Sequence, residues 1–180
     1  MSQFEFVQVT IAVILGLGLT DLFRNLGEQY RYRHIIEVYW LQIAASCLLL
    51  FVILMYLWNF WRTSNVEWTL PLFVLQVASA AALALSTQFL KVDVNSHKTA
   101  KSQYFDNRIA TYVSWSFAPI SAGLFHIVTA ESDLAIPRIV VVFLLLSLAI
   151  TRNAIAHAAV IAALLITLAV GLSIGQLELN

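Results

Sequence analysis

Six runs of mostly apolar residues partition this chain, and each is long enough to matter to a membrane. A helix needs about 20 such residues to cross a hydrocarbon core of roughly 30 Å. The runs lie approximately at Phe6–Phe23, Ile35–Trp61, Trp68–Leu90, Ile109–Ala130, Leu134–Thr151 and Ala154–Gly175. Read as one helix, the last two would reach about 60 Å, twice the membrane. Arg152 and Asn153 are the natural turn between them, because a charge at the bilayer centre is costly. The expected fold is therefore all-α, a polytopic helical bundle of six spans in a single domain over 1–180.

Composition closes off the soluble alternative. Hydrophobic residues make up 61% and charged ones 11% of the 180 residues, against roughly 25% charged in soluble domains. A soluble domain of this size would leave large apolar patches exposed. Ten basic residues balance ten acidic ones, which gives no footprint for a nucleic-acid partner. The lone Cys47 allows neither an internal disulfide nor a zinc site built on several thiolates. The first run has no positive charge before it and no small-residue cleavage site after it, so it reads as a mature helix and not a leader.

Orientation follows the basic residues. Arg24, Arg31 and Arg33 fall in the first loop, Lys91, Lys98, Lys101 and Arg108 in the third, and Arg152 in the fifth; the other loops hold Arg62 and Arg138. Eight against two puts the odd loops in the cytoplasm and both termini outside, in an inner-membrane protein. Trp58, Trp61 and Trp68 at one border, and Tyr30, Tyr32, Tyr39 and Trp40 at the other, suit headgroup layers.

Helices in lipid associate through close packing of small residues and interhelical hydrogen bonds. Stripes at four-residue spacing occur at Ala12, Gly16 and Thr20; at Ala78, Ala82 and Ser86; and at Ala159, Ala163, Thr167, Gly171 and Gly175. They serve contacts within one subunit or between copies. Leu48–Leu57 and Ile139–Leu148 are bulky and apolar all round, so spans 2 and 5 are expected to face lipid.

Two polar groupings could carry chemistry. Near the midplane lie Ser46, Gln76, Ser79, Ser116 and Ser121, with Ser114 beside them and Pro119 freeing one backbone carbonyl. Such a set can line a hydrated path or substrate site. The amide of Gln76 needs partners and should point into the bundle. Asp, Glu, Lys and Arg are missing at that depth, which disfavours a proton-driven carrier. The second grouping is Asp21, Arg24, Arg31, Arg33, His34, Glu37, Arg152, Asn153 and His157 near the cytoplasmic border. It could form salt bridges, an anion pocket or a contact with acidic headgroups. No metal-ligand spacing appears, His126 and His157 fall at opposite ends of their spans, and no cofactor is expected.

Four passages resemble a broad group of small bacterial six-span membrane proteins. They are Gly18-Leu19-Thr20-Asp21-Leu22-Phe23, the Trp58–Trp61 segment with Trp68-Thr69, Tyr104-Phe105-Asp106-Asn107-Arg108, and Thr151-Arg152-Asn153 with His157. The resemblance implies a bacterial inner-membrane setting and carries over no catalytic residues. Arg152-Asn153-Ala154-Ile155-Ala156-His157 also matches the R-N-x-x-x-H pattern of the HEPN ribonucleases, where the Arg and His promote RNA cleavage. On a helix, however, Arg152 and His157 stand about 140° apart, at about 100° per residue.

The leading expectation is a small homo-oligomeric channel or facilitator for a solute or ion. The competitor is a non-enzymatic accessory subunit or membrane-disrupting effector, with the polar Lys91–Arg108 loop meeting a soluble partner. A membrane-anchored ribonuclease comes third. The basic asymmetry generates a topological test in a Cys47→Ala background. In intact cells, His97→Cys should be shielded from an impermeant thiol reagent and Glu178→Cys should react; the reverse pattern inverts the orientation.

Overall fold

Helix formation begins with a reciprocal cap. Ser2 Oγ accepts from the Glu5 amide at 3.2 Å while the Glu5 carboxylate accepts from the Ser2 amide at 2.7 Å, a capping box that satisfies two otherwise orphaned donors. The computed structural model describes residues 2–35, 37–93, 96–128 and 135–177. They form six helices: α1 Gln3–Arg31, α2 Trp40–Phe60, α3 Leu70–Phe89, α4 Ala100–Val128, α5 Ala135–Ile150 and α6 Ala154–Leu177, with a short 3-10 turn at Trp61–Thr63. The chain is all-α among the described residues. Three of the helices, α1, α2 and α3, are long and apolar enough to cross a bilayer; shorter apolar stretches cover Arg138–Ile150 and Ala154–Thr167.

The six apolar runs each fall on one helix, but several borders move. Helix α1 continues through Arg31, so Arg24 sits on a helix and not in a loop. Helix α2 starts at Trp40, five residues after the expected Ile35. The largest correction concerns Lys91–Arg108. Thr99 Oγ1 accepts from the Ser102 amide at 3.3 Å, and this cap starts α4 at Ala100. Half of the expected loop is therefore helix, because charged residues end an apolar run without ending a helix. Asn153 caps α6 in the same way, its Oδ1 accepting from the Ile155 amide at 2.9 Å. The fifth connection is thus the tight turn expected at Arg152 and Asn153. The fourth, 129–134, lies outside the described residues.

The helices close into a ring. Helix α1 packs on α3, α3 on α4, α4 on α5, α5 on α6, α6 on α2 and α2 on α1. Buried α1 residues recur at Val7, Ile11, Leu15, Gly18, Leu22, Asn25 and Gln29, a stripe of three- and four-residue steps that marks one helix face. The expected small stripe of α1 lies elsewhere: Ala12 and Thr20 are exposed and Gly16 is half-exposed. On α3, by contrast, Ala82 and Ser86 are buried within the chain. On α6 Ala159, Ala163 and Thr167 are exposed.

Span 2 is exposed on one side only, at Cys47, Leu54 and Trp58. Leu48, Leu49 and Ile53 are fully buried, because α2 lies between α1 and α6 and also touches α3. An all-apolar helix offers no moment to tell its faces apart, and here the neighbours decide. Helix α5 is two-sided, with Leu145 and Leu148 buried and Ile139, Val140 and Phe143 exposed.

Helices α1 and α3 approach closely at Gly18. A Cβ placed on Gly18 would stand 3.0 Å from the Ala84 Cα and 3.1 Å from its Cβ, whereas one on Gly16 meets nothing within 4 Å. Gly18→Ala should therefore destabilise by about 1–3 kcal/mol through overpacking, and Gly16→Ala should not. Thermal unfolding of the two variants in detergent checks the contrast.

Candidate functional site

Between the helices lies a half-enclosed cavity of about 260 Å³. Its deep end is walled by Leu48 from α2, Leu83 from α3, Trp115 from α4, Leu145 from α5 and Leu164 from α6. Asn59, Thr63 and Arg138 line the cavity toward the helix ends opposite the α3–α4 connection. Arg138 donates from Nη1 to the Ala122 carbonyl at 3.2 Å. Aromatic rings link the elements at this end: Phe4 stacks on Phe60 at 5.6 Å, Phe60 meets Trp68 at 5.7 Å, and Trp68 meets Phe125 at 5.9 Å. Trp58 and Trp61 remain exposed beside them.

Gln76 is the polar centre of the cavity wall. It is 6% exposed, and its side-chain oxygen accepts from the Tyr56 hydroxyl, which also approaches the Gln76 carbonyl at 3.2 Å. Pro119 lines the same cavity. The four expected serines do not join them there. Ser116 donates to the Val113 carbonyl at 2.8 Å, and Ser121 to those of Phe117 and Ala118 at 3.0 Å. These are back-bonds within one helix. Ser79 donates across to the Ala118 carbonyl at 3.3 Å and so ties α3 to α4. Ser46 is fully buried and its Oγ makes no hydrogen bond among the described residues.

Below the cavity the bundle is filled by an aromatic plug. Trp115 stacks on Tyr112 at 6.0 Å, with their planes 10° apart. Tyr112 and Tyr104 share a hydroxyl–hydroxyl bond of 2.6 Å, Tyr104 bonds His157 Nδ1 at 2.8 Å, and His157 Nε2 faces the Thr151 carbonyl at 3.1 Å. A carbonyl only accepts, so Nε2 carries a proton. In the neutral ring Nδ1 then accepts from Tyr104, and Tyr104 accepts from Tyr112. Phe105 packs edge-on against His157 at 5.2 Å and Tyr39 against Tyr104 at 5.4 Å. His157 is completely buried.

The border cluster expected from sequence is dispersed in space. Asp21 pairs with Arg24 and accepts from Gln88 across to α3. Arg31 lies over the Tyr32 ring and Arg33 over the Tyr30 ring, at 5.7 and 4.2 Å. His34 and Glu37 are exposed, as are Arg152 and Asn153. Arg152 in solvent and His157 inside the plug do not share an open surface, so the R-N-x-x-x-H residues are not assembled around an accessible groove.

Sequence reasoning missed the neutral amides that fix the α3–α4 connection. The Leu90 carbonyl accepts from Asn25 Nδ2 at 3.0 Å and Gln42 Nε2 at 2.6 Å, and Asn25 Oδ1 accepts from the Val92 amide at 3.1 Å. Gln103 accepts from the Asp93 amide at 2.8 Å and donates to the carbonyls of Asp93 and Lys98 at 3.0 Å. Outside, the Lys98 ammonium hydrogen-bonded to Asp106 holds that carboxyl below the usual range. The missed signal is Asn25 and Gln29, amides continuing the apolar stripe of α1 at helical spacing, with Gln42 buried in the first turn of α2. Among the described residues, His, Cys, Asp and Glu do not gather in threes as a metal site would require. No protein-family model, curated protein or solved structure matches this chain.

Tyr104→Phe should strand both the Tyr112 hydroxyl and His157 Nδ1, at about 1–3 kcal/mol for unsatisfied buried groups. Tyr32→Phe, in the exposed α1–α2 turn, serves as the control. Chemical or thermal unfolding in detergent should separate the two variants.

Proposed function

We propose that the chain is a six-span protein of the bacterial inner membrane with both termini outside, and that its cavity is the outward-facing site of a gated facilitator for a small solute. The observation that carries this reading is the half-open cavity around Gln76, set on a buried aromatic floor. The helix set supplies the membrane part, with α1, α2 and α3 of spanning length and apolarity. Placed in a bilayer, the mouth at Asn59, Thr63 and Arg138 opens on the side bearing few basic residues, and the plug lies toward the cytoplasmic side. The bundle then has an accessible half and a closed half, which is the arrangement a gated path needs.

The chemistry of the wall suits transient binding. Neutral hydrogen bonds are individually modest, about 1 kcal/mol net, so a solute can be held and still leave. Passage requires displacement of the Trp115–Tyr112 stack. The exposed small stripes of α1 and α6 support a homo-oligomer, since small residues allow close helix approach. An accessory-subunit reading draws on the exposed Lys98, Lys101 and Asp106 at the start of α4, where a soluble partner would dock.

Flux into proteoliposomes tests the proposal. Some member of a broad panel of small solutes and ions should enter faster than into empty vesicles. Gln76→Leu should lower that flux several-fold, and Tyr112→Ala should raise it by opening the floor. A panel with no flux, or a flux indifferent to both substitutions, removes the facilitator and leaves the accessory subunit in first place.

A further inference from the structure

We infer that the cavity recognises a mostly apolar molecule of about ten non-hydrogen atoms bearing a neutral carbonyl oxygen, which accepts from the side-chain amide of Gln76. This deepens the facilitator reading by naming the ligand class of the same cavity, and it stands on geometry that does not require flux. Tyr56 meets the oxygen end of the amide, its hydroxyl donating to Gln76 Oε1. The amide nitrogen is thereby turned to the other side. Among the described residues it donates to no protein group, and it is not one of the sealed-off polar atoms of the core. It belongs instead to a residue that is 94% buried on the cavity wall. Two N–H donors facing an apolar chamber are a demand for an acceptor, since an unmet buried donor is costly.

Size and charge narrow the acceptor. A cavity of roughly 150 Å³ holds one benzene ring, so about 260 Å³ holds about ten non-hydrogen atoms. The lining residues Leu83, Ala118, Pro119 and Val141 offer an anion no cationic partner. The one described cation of the lining, Arg138, is already engaged at Nη1 by the Ala122 carbonyl. A carboxylate is far costlier to desolvate in such a chamber than a ketone or aldehyde oxygen. The donor pair therefore selects a neutral carbonyl, and the aliphatic walls select its chain.

Binding is measured in nanodiscs with three probes of matched size: 2-nonanone, n-decane and octanoate. Trp115 fluorescence reports it in a variant carrying Trp40, Trp58, Trp61 and Trp68 as Phe, and thermal stabilisation of the unmodified protein provides a second readout should that variant not fold. Empty nanodiscs correct for partitioning. 2-Nonanone should saturate at about five- to tenfold lower concentration than n-decane. Gln76→Leu and Gln76→Met should erase that preference while leaving decane binding intact. Equal binding of ketone and alkane, or a preference that survives both substitutions, overturns the assignment. Tighter binding of octanoate than of 2-nonanone also overturns it, by moving recognition to Arg138. Ketone preference without flux sinks the facilitator and leaves this inference standing; flux without ketone preference does the reverse.

Discussion

The carbonyl that ends α3 accepts from two side chains on two other helices, and much of the bundle is organised around that point. Leu90 receives Asn25 from α1 and Gln42 from α2, while Asn25 returns an acceptor to Val92. Ten residues later Gln103 grips Asp93 from the first turns of α4. Four helices thus meet on one short connection. In an apolar interior a lost partner leaves a buried polar group unsatisfied, so such a knot admits few alternative registers. The contacts that follow, Gly18 against Ala84 and Ser79 against Ala118, depend on α1, α3 and α4 being held at those heights.

The same economy of charge shapes the cavity and the plug. The Gln76 site and the plug are built from hydroxyls, an amide and an imidazole held by neutral bonds. Neutral pairs avoid the desolvation penalty that charged pairs incur in a low-dielectric interior. They also leave the amide nitrogen of Gln76 unspent, and that is where the structure offers a ligand something it does not offer itself.

The helices were legible in the sequence because long apolar runs and caps are local signals. Ser2 with Glu5, and Asn153 before α6, could be read directly. The start of α4 could not be found by hydropathy, since Lys101, Asp106 and Arg108 interrupt the apolar run while leaving the helix intact. Facing was harder. The uniformly apolar surface of α2 carries no directional signal, so its burial is decided by tertiary neighbours. Ala12, Gly16 and Thr20 formed a tempting stripe, yet the close approach uses Gly18, on nearly the opposite side of the helix. Gln76 was found because a single amide in an apolar run must have a reason. Tyr104 and the amides Asn25 and Gln42 were missed because their partners His157, Leu90 and Val92 are distant in sequence.

The order of the ring has a consequence for synthesis. Helix α2 is flanked by α1, made just before it, and by α6, made last. Phe60 and Ala154 stand 94 residues apart, which at ribosomal rates of about 5–20 residues per second is roughly ten seconds. Throughout that interval Leu48, Val52 and Tyr56 border a chamber whose last wall has not been translated. In the proposed membrane setting, the nascent bundle must therefore keep company with lipid, or with a membrane chaperone, along the very surface that will become its interior.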